Sequence, residues 1–238
     1  MLFFYIRHGD PIYEPDSLTP LGLRQAEAVG KRLALFGVDR IYASTSKRAI
    51  QTATPACEMM KKELTLLDYA NESHAWQDMT VTRRDGHLTW LFQDPDSRPK
   101  LCDPEVVALG FHWYEHPYFA GHDYKKGIDR VTAGNDELFR SLGYEHIPGT
   151  GMYHVLRSNP ERVALFAHQG FSMLFFSCML DIPYSQFSSH FDHCHTGMTV
   201  VSFDEVGEVA IPKVLTLSSD AHLYREGLPT RYNNKIPF

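Results

Sequence analysis

Leu2-Phe3-Phe4-Tyr5-Ile6, followed at once by Arg7-His8-Gly9-Asp10-Pro11, is a short apolar run that breaks abruptly into a polar loop. Five consecutive apolar residues are too few for a helix and read as a strand buried on both faces, with the loop at its carboxyl end. Next to it the signals turn helical. Thr19 suits an N-cap and Pro20 the first helical position, Leu21, Ala28, Val29, Leu33 and Phe36 recur at helical spacing, and Gly37 is the stop. A second strand is expected at about 40–43. It leads through Ser44-Thr45-Ser46 into a helix from about Lys47, which Pro55 should kink or divide. A third strand fits 64–67.

From about 75 to 151 the pattern gives way to aromatics, prolines, glycines and histidines, with one helix expected near 134–142; this stretch reads as an inserted cap. Alternation resumes with a strand at 162–167, a helix at 171–180, a strand at 199–203 and a tail that includes Leu215-Thr216-Leu217. Strands alternating with helices imply an α/β fold of three layers: a mostly parallel sheet with helices on both faces. The expectation is a single domain over 1–238 with an insertion at about 75–151, because the functional residues are drawn from both ends of the chain.

The 238 residues are 43% hydrophobic, 22% charged and 13% aromatic, a globular profile long enough for a substantial core. A formal charge of -6 argues against broad electrostatic binding to nucleic acid or an anionic membrane, while leaving room for a local basic pocket. Cys57, Cys102, Cys178 and Cys194 are scattered without a close pair, which fits reduced thiols better than a disulfide framework or a zinc ribbon. The apolar stretch 163–180 is interrupted by His168, Gln169 and Gly170, so a strand and a helix are expected there and no membrane span. With no signal-peptide pattern at the start, the expected location is cytoplasmic.

In open α/β sheets the ligand crevice lies beyond the carboxyl ends of the strands. Arg7 and His8 end the first strand, Arg48 follows the second, and His168 follows the strand at 162–167. Two guanidiniums give bidentate recognition of phosphate oxygens, and two imidazoles add a nucleophile and a further donor. A phosphoryl group suits this set. An ordinary histidine pKa of about 6.5 leaves much of the ring neutral near pH 7, with a lone pair for attack.

Four stretches together resemble the histidine phosphatase superfamily, the group that includes the cofactor-dependent phosphoglycerate mutases. They are Phe4-Tyr5-Ile6-Arg7-His8-Gly9; Leu18-Thr19-Pro20-Leu21-Gly22-Leu23-Arg24-Gln25-Ala26; Ile41-Tyr42-Ala43-Ser44 with Lys47-Arg48-Ala49-Ile50-Gln51-Thr52-Ala53; and Val163-Ala164-Leu165-Phe166-Ala167-His168-Gln169-Gly170. The resemblance implies a phosphoglycerate mutase-like sandwich in which His8 is phosphorylated and Arg7, Arg48 and His168 bind the phosphate. It also implies an acidic residue in the middle of the chain that protonates the leaving group. Asn71-Glu72-Ser73-His74 is similar to the family's Asn-Glu segment, which points to Glu72, with Asp78 and Asp85 in reserve. Two positions depart from the pattern. Gln169 stands where a second glycine is common and could offer an amide to the substrate or cap the next helix. Asp10 would oppose an anion unless it points away or pairs with an arginine.

The expected activity is metal-independent hydrolysis of a phosphomonoester through phosphohistidine on His8, by a histidine acid phosphatase-type enzyme with a small phosphorylated substrate and no cofactor. The alternatives are a mutase-like phosphotransferase and a non-catalytic phosphate-binding module on the same fold. His190, His193 and His195, with Asp192 and Cys194, invite a zinc reading, but residues two apart on an irregular segment do not set ligand geometry, and a polar turn is expected. His87, His112, His116 and His122 lie among the aromatics of the insertion, a candidate wall for an organic leaving group. Arg83-Arg84 reads as solvated surface.

Overall fold

The computed structural model describes residues 1–233. The chain begins with strand β1 (Leu2–Arg7), a short ribbon of β2 (Pro11–Ile12) and β3 (Ser17–Leu18), helix α1 (Pro20–Phe36), β4 (Arg40–Ser44), α2 (Lys47–Met60) and β5 (Leu64–Leu67). It continues through α3 (Glu72–Met79), a second ribbon of β6 (Thr80–Thr82) and β7 (Leu88–Trp90), α4 (Ser97–Leu101), α5 (Pro104–Ala108), α6 (Tyr124–Ser141), β8 (Tyr144–Ile147) and β9 (Met152–Val155). β10 (Arg162–Ala167), α7 (Gln169–Leu180), α8 (Tyr184–His190), β11 (Met198–Val206), β12 (Val209–Ser219) and α9 (Ala221–Arg225) complete it. Among the described residues the main sheet has eight strands in the order β5-β4-β10-β1-β11-β12-β9-β8. Pairing is parallel from β5 to β1 and antiparallel from β1 to β8, so six strands point one way, with β11 and β9 opposed.

The alternation of side chains along a strand sorts the core into two layers. Phe3 and Tyr5 of β1, with Val163 and Leu165 of β10, pack on the side of α6 and α7. Phe4, Ile6, Ala164 and Phe166 pack on the side of α1 and α2, against Val29, Leu33, Ala53 and Ala56. Both faces are covered, which is why the run 2–6 is apolar without alternation. α7 is buried at every position from Gln169 to Met179, lodged between the sheet and the rest of the chain, and its sequence is accordingly apolar all round.

Local chemistry sets the boundaries. The Thr19 hydroxyl accepts the Gly22 amide at 3.0 Å, and Gly37 ends α1 at φ 73°. Pro55 does not divide α2, which runs unbroken from Lys47 to Met60. A Cβ on Gly30 of α1 would lie 3.1–3.2 Å from Pro55 and Ala56, so close packing of the two helices holds the proline in place. α7 begins at Gln169, two residues before the expected start, because His168 is the last extended residue.

The segment 75–151 divides in two. Residues 80–119 form the β6–β7 ribbon and short helical turns outside the main sheet, whereas α6 packs against α7, and β8 joins the sheet edge beside β9. α6 starts at Tyr124, ten residues before the expected helix, capped by Asp123, whose side chain accepts the Lys126 amide. Gly134, which weakens that helix in the sequence, is where the Tyr69 ring rests: a Cβ there would be 2.2 Å from it. Among the described residues no helix is long and apolar enough to cross a membrane.

Candidate active site

β4, β10 and β1 are neighbours in the sheet, so their carboxyl ends deliver Ser44, His168 and the Arg7-His8 pair to one place, with Arg48 arriving in the first turn of α2. The His8 amide donates to Ala167 O at 2.9 Å, which extends the β1–β10 ladder by one rung into the loop, and the Gly9 amide donates to Thr52 Oγ1 at 3.0 Å. Gly9 must be glycine here. A Cβ would lie 2.7 Å from the Gly22 carbonyl oxygen, because the loop crosses the first turn of α1.

His8 Nδ1 donates to its neighbour's carbonyl, Gly9 O, at 2.7 Å, which places the ring proton on that nitrogen and leaves Nε2 with its lone pair. The His8 ring lies 5.2 Å from that of His168, whose Nε2 is 2.7 Å from Ser44 Oγ. Arg48 donates from Nη1 to Asp16 Oδ1 and from Nη2 to Glu72 Oε2, both at 2.8 Å, and its guanidinium lies 5.4 Å from the centre of the Tyr13 ring. Glu72 Oε1 accepts the Gly170 amide at 2.9 Å, and Oε2 is 3.5 Å from His168 Nδ1. Arg7 donates from Nη1 to His193 O at 2.5 Å and from Nη2 to Asn233 Oδ1. After these bonds are made, Arg7 Nε, Arg48 Nε and His168 Nδ1 remain buried with no hydrogen-bond partner among the described residues, although Glu72 Oε2 faces His168 Nδ1 at 3.5 Å. Leaving a buried polar group unpaired costs about 1–3 kcal/mol each.

Electrostatics follow from burial and crowding. The pKa of His8 is pushed well below the ordinary histidine value by desolvation, then by His168, Arg7 and Arg48. His168 is lowered in the same way by burial and the two guanidiniums. Both shifts favour the neutral rings, so His8 keeps a free lone pair at neutral pH.

The sequence-based candidates fall into two groups. His8, Glu72 and His168 come together, with ligating atoms within 4.8 Å of one another, and Arg7 and Arg48 flank them. That triad is also, among the described residues, the one cluster with metal-ligand spacing, but Arg48 already occupies Glu72 Oε2, and two guanidiniums with unpaired donors suit an anion rather than a cation. Asp78 and Asp85 lie elsewhere: Asp78 binds Arg130 at 3.0 Å, and Asp85 is exposed on the β6–β7 ribbon. The Gln169 amide is taken up by Asp192, Asn233 and Gln93, so its bonds tie the start of α7 to the insertion and the C-terminal segment. Asp10 pairs with no arginine; it accepts from Thr19 Oγ1 at 2.7 Å and sits 3.3 Å from His195 Nδ1.

His190, His193 and His195 do not converge. His190 is exposed near Cys102, and His193 is buried and stacked on Phe176 with its nitrogens on Ser172 and Thr199. His195 lies 5.9 Å from the His8 ring. Arg83 and Arg84 pair with Asp85 and Asp96 on the surface. Sequence reasoning overlooked Asp16, Tyr13 and Asn233, which come from loops with no motif of their own. Ser44 had a signal, its place at the end of a strand. A cavity of about 710 Å³ opens beside Arg48 and Glu72, walled by Tyr13, Trp76, Trp90 and Gln93. His8 itself is 1% exposed and does not line this cavity, whereas Arg48 and Glu72 do.

Residues 4–108 match the model of the histidine phosphatase superfamily (branch 1). None of the curated protein sequences matches the chain. Among solved structures, a phosphoserine phosphatase from Entamoeba histolytica in complex with 3-phosphoglyceric acid is similar at 18% identity and TM-score 0.59, over 93% of this chain and 98% of that one. A mycobacterial glucosyl-3-phosphoglycerate phosphatase in complex with VO3 is similar at 18% identity and TM-score 0.61, over 92% and 99%. The alpha-ribazole phosphatase of Shigella flexneri is similar at 16% identity and TM-score 0.58, over 92% and 96%. These likenesses establish a shared fold over nearly the whole chain. Residues 4–108, which carry Arg7, His8, Arg48 and Glu72, match the model of the histidine phosphatase superfamily, branch 1, and nearly the whole chain shares the fold of these solved phosphatase structures.

Proposed function

We propose that the protein is a phosphatase that cleaves a phosphomonoester by two displacements through phosphohistidine on His8, without a metal. The observation that carries this reading is the set of unpaired buried donors, Arg7 Nε, Arg48 Nε and His168 Nδ1, around a neutral histidine with a free Nε2. A phosphoryl group supplies the acceptors those donors lack and the electrophile that Nε2 attacks.

In the first step the His8 Nε2 lone pair forms a bond to phosphorus as the ester P–O bond breaks in line. Glu72, as the carboxylic acid, gives its proton to the departing oxygen. In the second step water attacks phosphorus, the Glu72 carboxylate takes the water proton, and the P–N bond breaks, returning its electron pair to His8. Arg7, Arg48 and His168 hold the equatorial oxygens throughout. Gln169, engaged with Asp192 and Asn233, acts through the position of α7 rather than on phosphate. The two carboxylates that bind Arg48 must yield, at least in part, as phosphate enters.

The test is acid-labile labelling from a ³²P-phosphomonoester, run with a chelator present. The expected result is one label per chain, lost in His8→Ala together with about 10³-fold or more of the turnover. Unchanged turnover in His8→Ala, or full dependence on added metal, refutes the mechanism.

A further inference from the structure

We infer that the alcohol esterified to the phosphate is an uncharged aromatic body, held in the cavity between Trp76 and Tyr13. The inference rests on the phosphatase reading for its account of the phosphate end and on separate observations for the other end. Glu72 and Trp76 are four residues apart on α3, so the acid and the indole share a helix face. A group that receives its proton from Glu72 therefore leaves along the indole. Trp76 is 36% exposed and Tyr13 57% exposed, and both line the cavity. Trp76 meets Trp90 edge to face with ring centres 4.9 Å apart, so Trp90 does not cover it by stacking.

Trp90 in turn is fixed to the catalytic helix. A Cβ on Gly170 would fall 2.3 Å from its ring, and the Gly170 amide binds Glu72. The aromatic wall is thus anchored two residues from His168 and is rigid where the chemistry occurs.

Size and charge restrict the occupant further. About 710 Å³ is in the range of pockets for organic ligands and much larger than a three-carbon phosphoester requires. Beyond Arg48, Lys47 is the one cation among the described lining residues, and the carboxylates Asp16 and Glu72 stand on the same wall. Lys47 alone could meet the carboxylate of a small phosphorylated acid, with Asp16 and Glu72 opposing that charge, whereas Thr89 and Gln93 offer hydrogen bonds to a neutral ring.

Two measurements on the full-length protein test this. Binding of 3-phenylpropylphosphonate is compared with that of propylphosphonate, and turnover of 2-phenylethyl phosphate is compared with that of propyl phosphate and O-phosphoserine. The primary alkyl leaving groups of the first two esters are similar in basicity, so their ratio reads recognition rather than chemistry. The aromatic member of each pair is expected to be favoured roughly tenfold. Trp76→Ala, and independently the exposed Tyr13→Ala, should bring that ratio close to unity, while Trp76→Phe keeps most of it. Equal binding of the two phosphonates, or faster turnover of propyl phosphate or O-phosphoserine, overturns the inference and leaves the phosphatase reading intact. Preferential binding of the aromatic phosphonate with no ester hydrolysed supports the inference and removes the phosphatase reading.

Discussion

Glu72→Gln separates proton transfer from the remaining functions of the site. In the free protein the carboxylate accepts from Arg48 Nη2 at 2.8 Å and from the Gly170 amide at 2.9 Å, and both it and Arg48 are about one-tenth exposed. Glutamine keeps the shape and one acceptor oxygen and cannot give or take the proton. Arg48 retains Asp16 at 2.8 Å, so the structural loss is that of one hydrogen bond to a charged group, about 1–3 kcal/mol. For a chain of this size that lowers Tm by roughly 2–4 °C per kcal/mol, leaving a folded enzyme to assay. The chemical loss depends on the leaving group. An alkoxide cannot depart unprotonated, so turnover of an alkyl phosphate should fall about 10²–10⁴-fold, which is about 3–5 kcal/mol of barrier. A 4-nitrophenolate leaves without help, so the first turnover of the nitrophenyl ester should fall less than about tenfold, as a burst ahead of slow dephosphorylation. Stopped-flow absorbance for the aryl ester and phosphate release for the alkyl ester give the two numbers. Equal losses on both esters, or no loss on the alkyl ester, would show that Glu72 is not the proton donor.

Three further outcomes are expected. Gly170→Ala places a methyl 2.3 Å from the Trp90 ring, which is 7% exposed and has little room to withdraw; overpacking of this kind should destabilise by about 1–3 kcal/mol in urea titration, and a change under about 0.5 kcal/mol contradicts the packing account. His193 and His195 are pushed down to about 3 by burial and then by Arg7, below an unfolded value of about 6.5, so unfolding in acid takes up protons. The stability they contribute at pH 7 is lost as pH falls from about 6.5 toward 3, on the order of 2 kcal/mol for each by pH 5, and a urea midpoint that does not drop between pH 7 and pH 5 counts against it. His146 behaves oppositely. It is raised first by its hydrogen bond to Asp181 at 3.0 Å, with Asp136 at 3.1 Å on its other nitrogen, so its contribution is full below about pH 6.5 and fades as pH rises through its folded value. An NMR titration in which the His146 ring loses its proton below pH 6.5 would exclude that arrangement.

Much of the site was legible because its parts are local. Arg7 and His8 sit where an apolar run stops, Arg48 where a helix begins after a strand, and His168 where a second buried strand meets a buried helix, and each boundary is a change of period within a few residues. Glu72 was reached through its Asn71 neighbour, which caps α3 by accepting the Ser73 amide. Asp16 could not be found this way. It lies in a loop, and its bond to Arg48 spans 32 positions of chain. Gln169 shows the same limit from the other side: its amide reads equally as a ligand or a cap until Asp192 and Asn233 are placed against it.

The amino-acid sequence by itself determined the α/β layering, the strands that end at the site and the residue types gathered there, because burial on two faces and helical periodicity are written in neighbouring residues. Tertiary structure alone decided the rest. The antiparallel half of the sheet depends on β9 pairing with β12, a contact between segments about 55 residues apart that no local period encodes. The path of α6 through Gly134 and the seat of Trp90 on Gly170 depend on rings that arrive from elsewhere in the chain. The unpaired donors of Arg7, Arg48 and His168 are likewise visible only when every competing acceptor has been placed, since a hydrogen-bond vacancy is a property of three-dimensional surroundings and not of any stretch of chain.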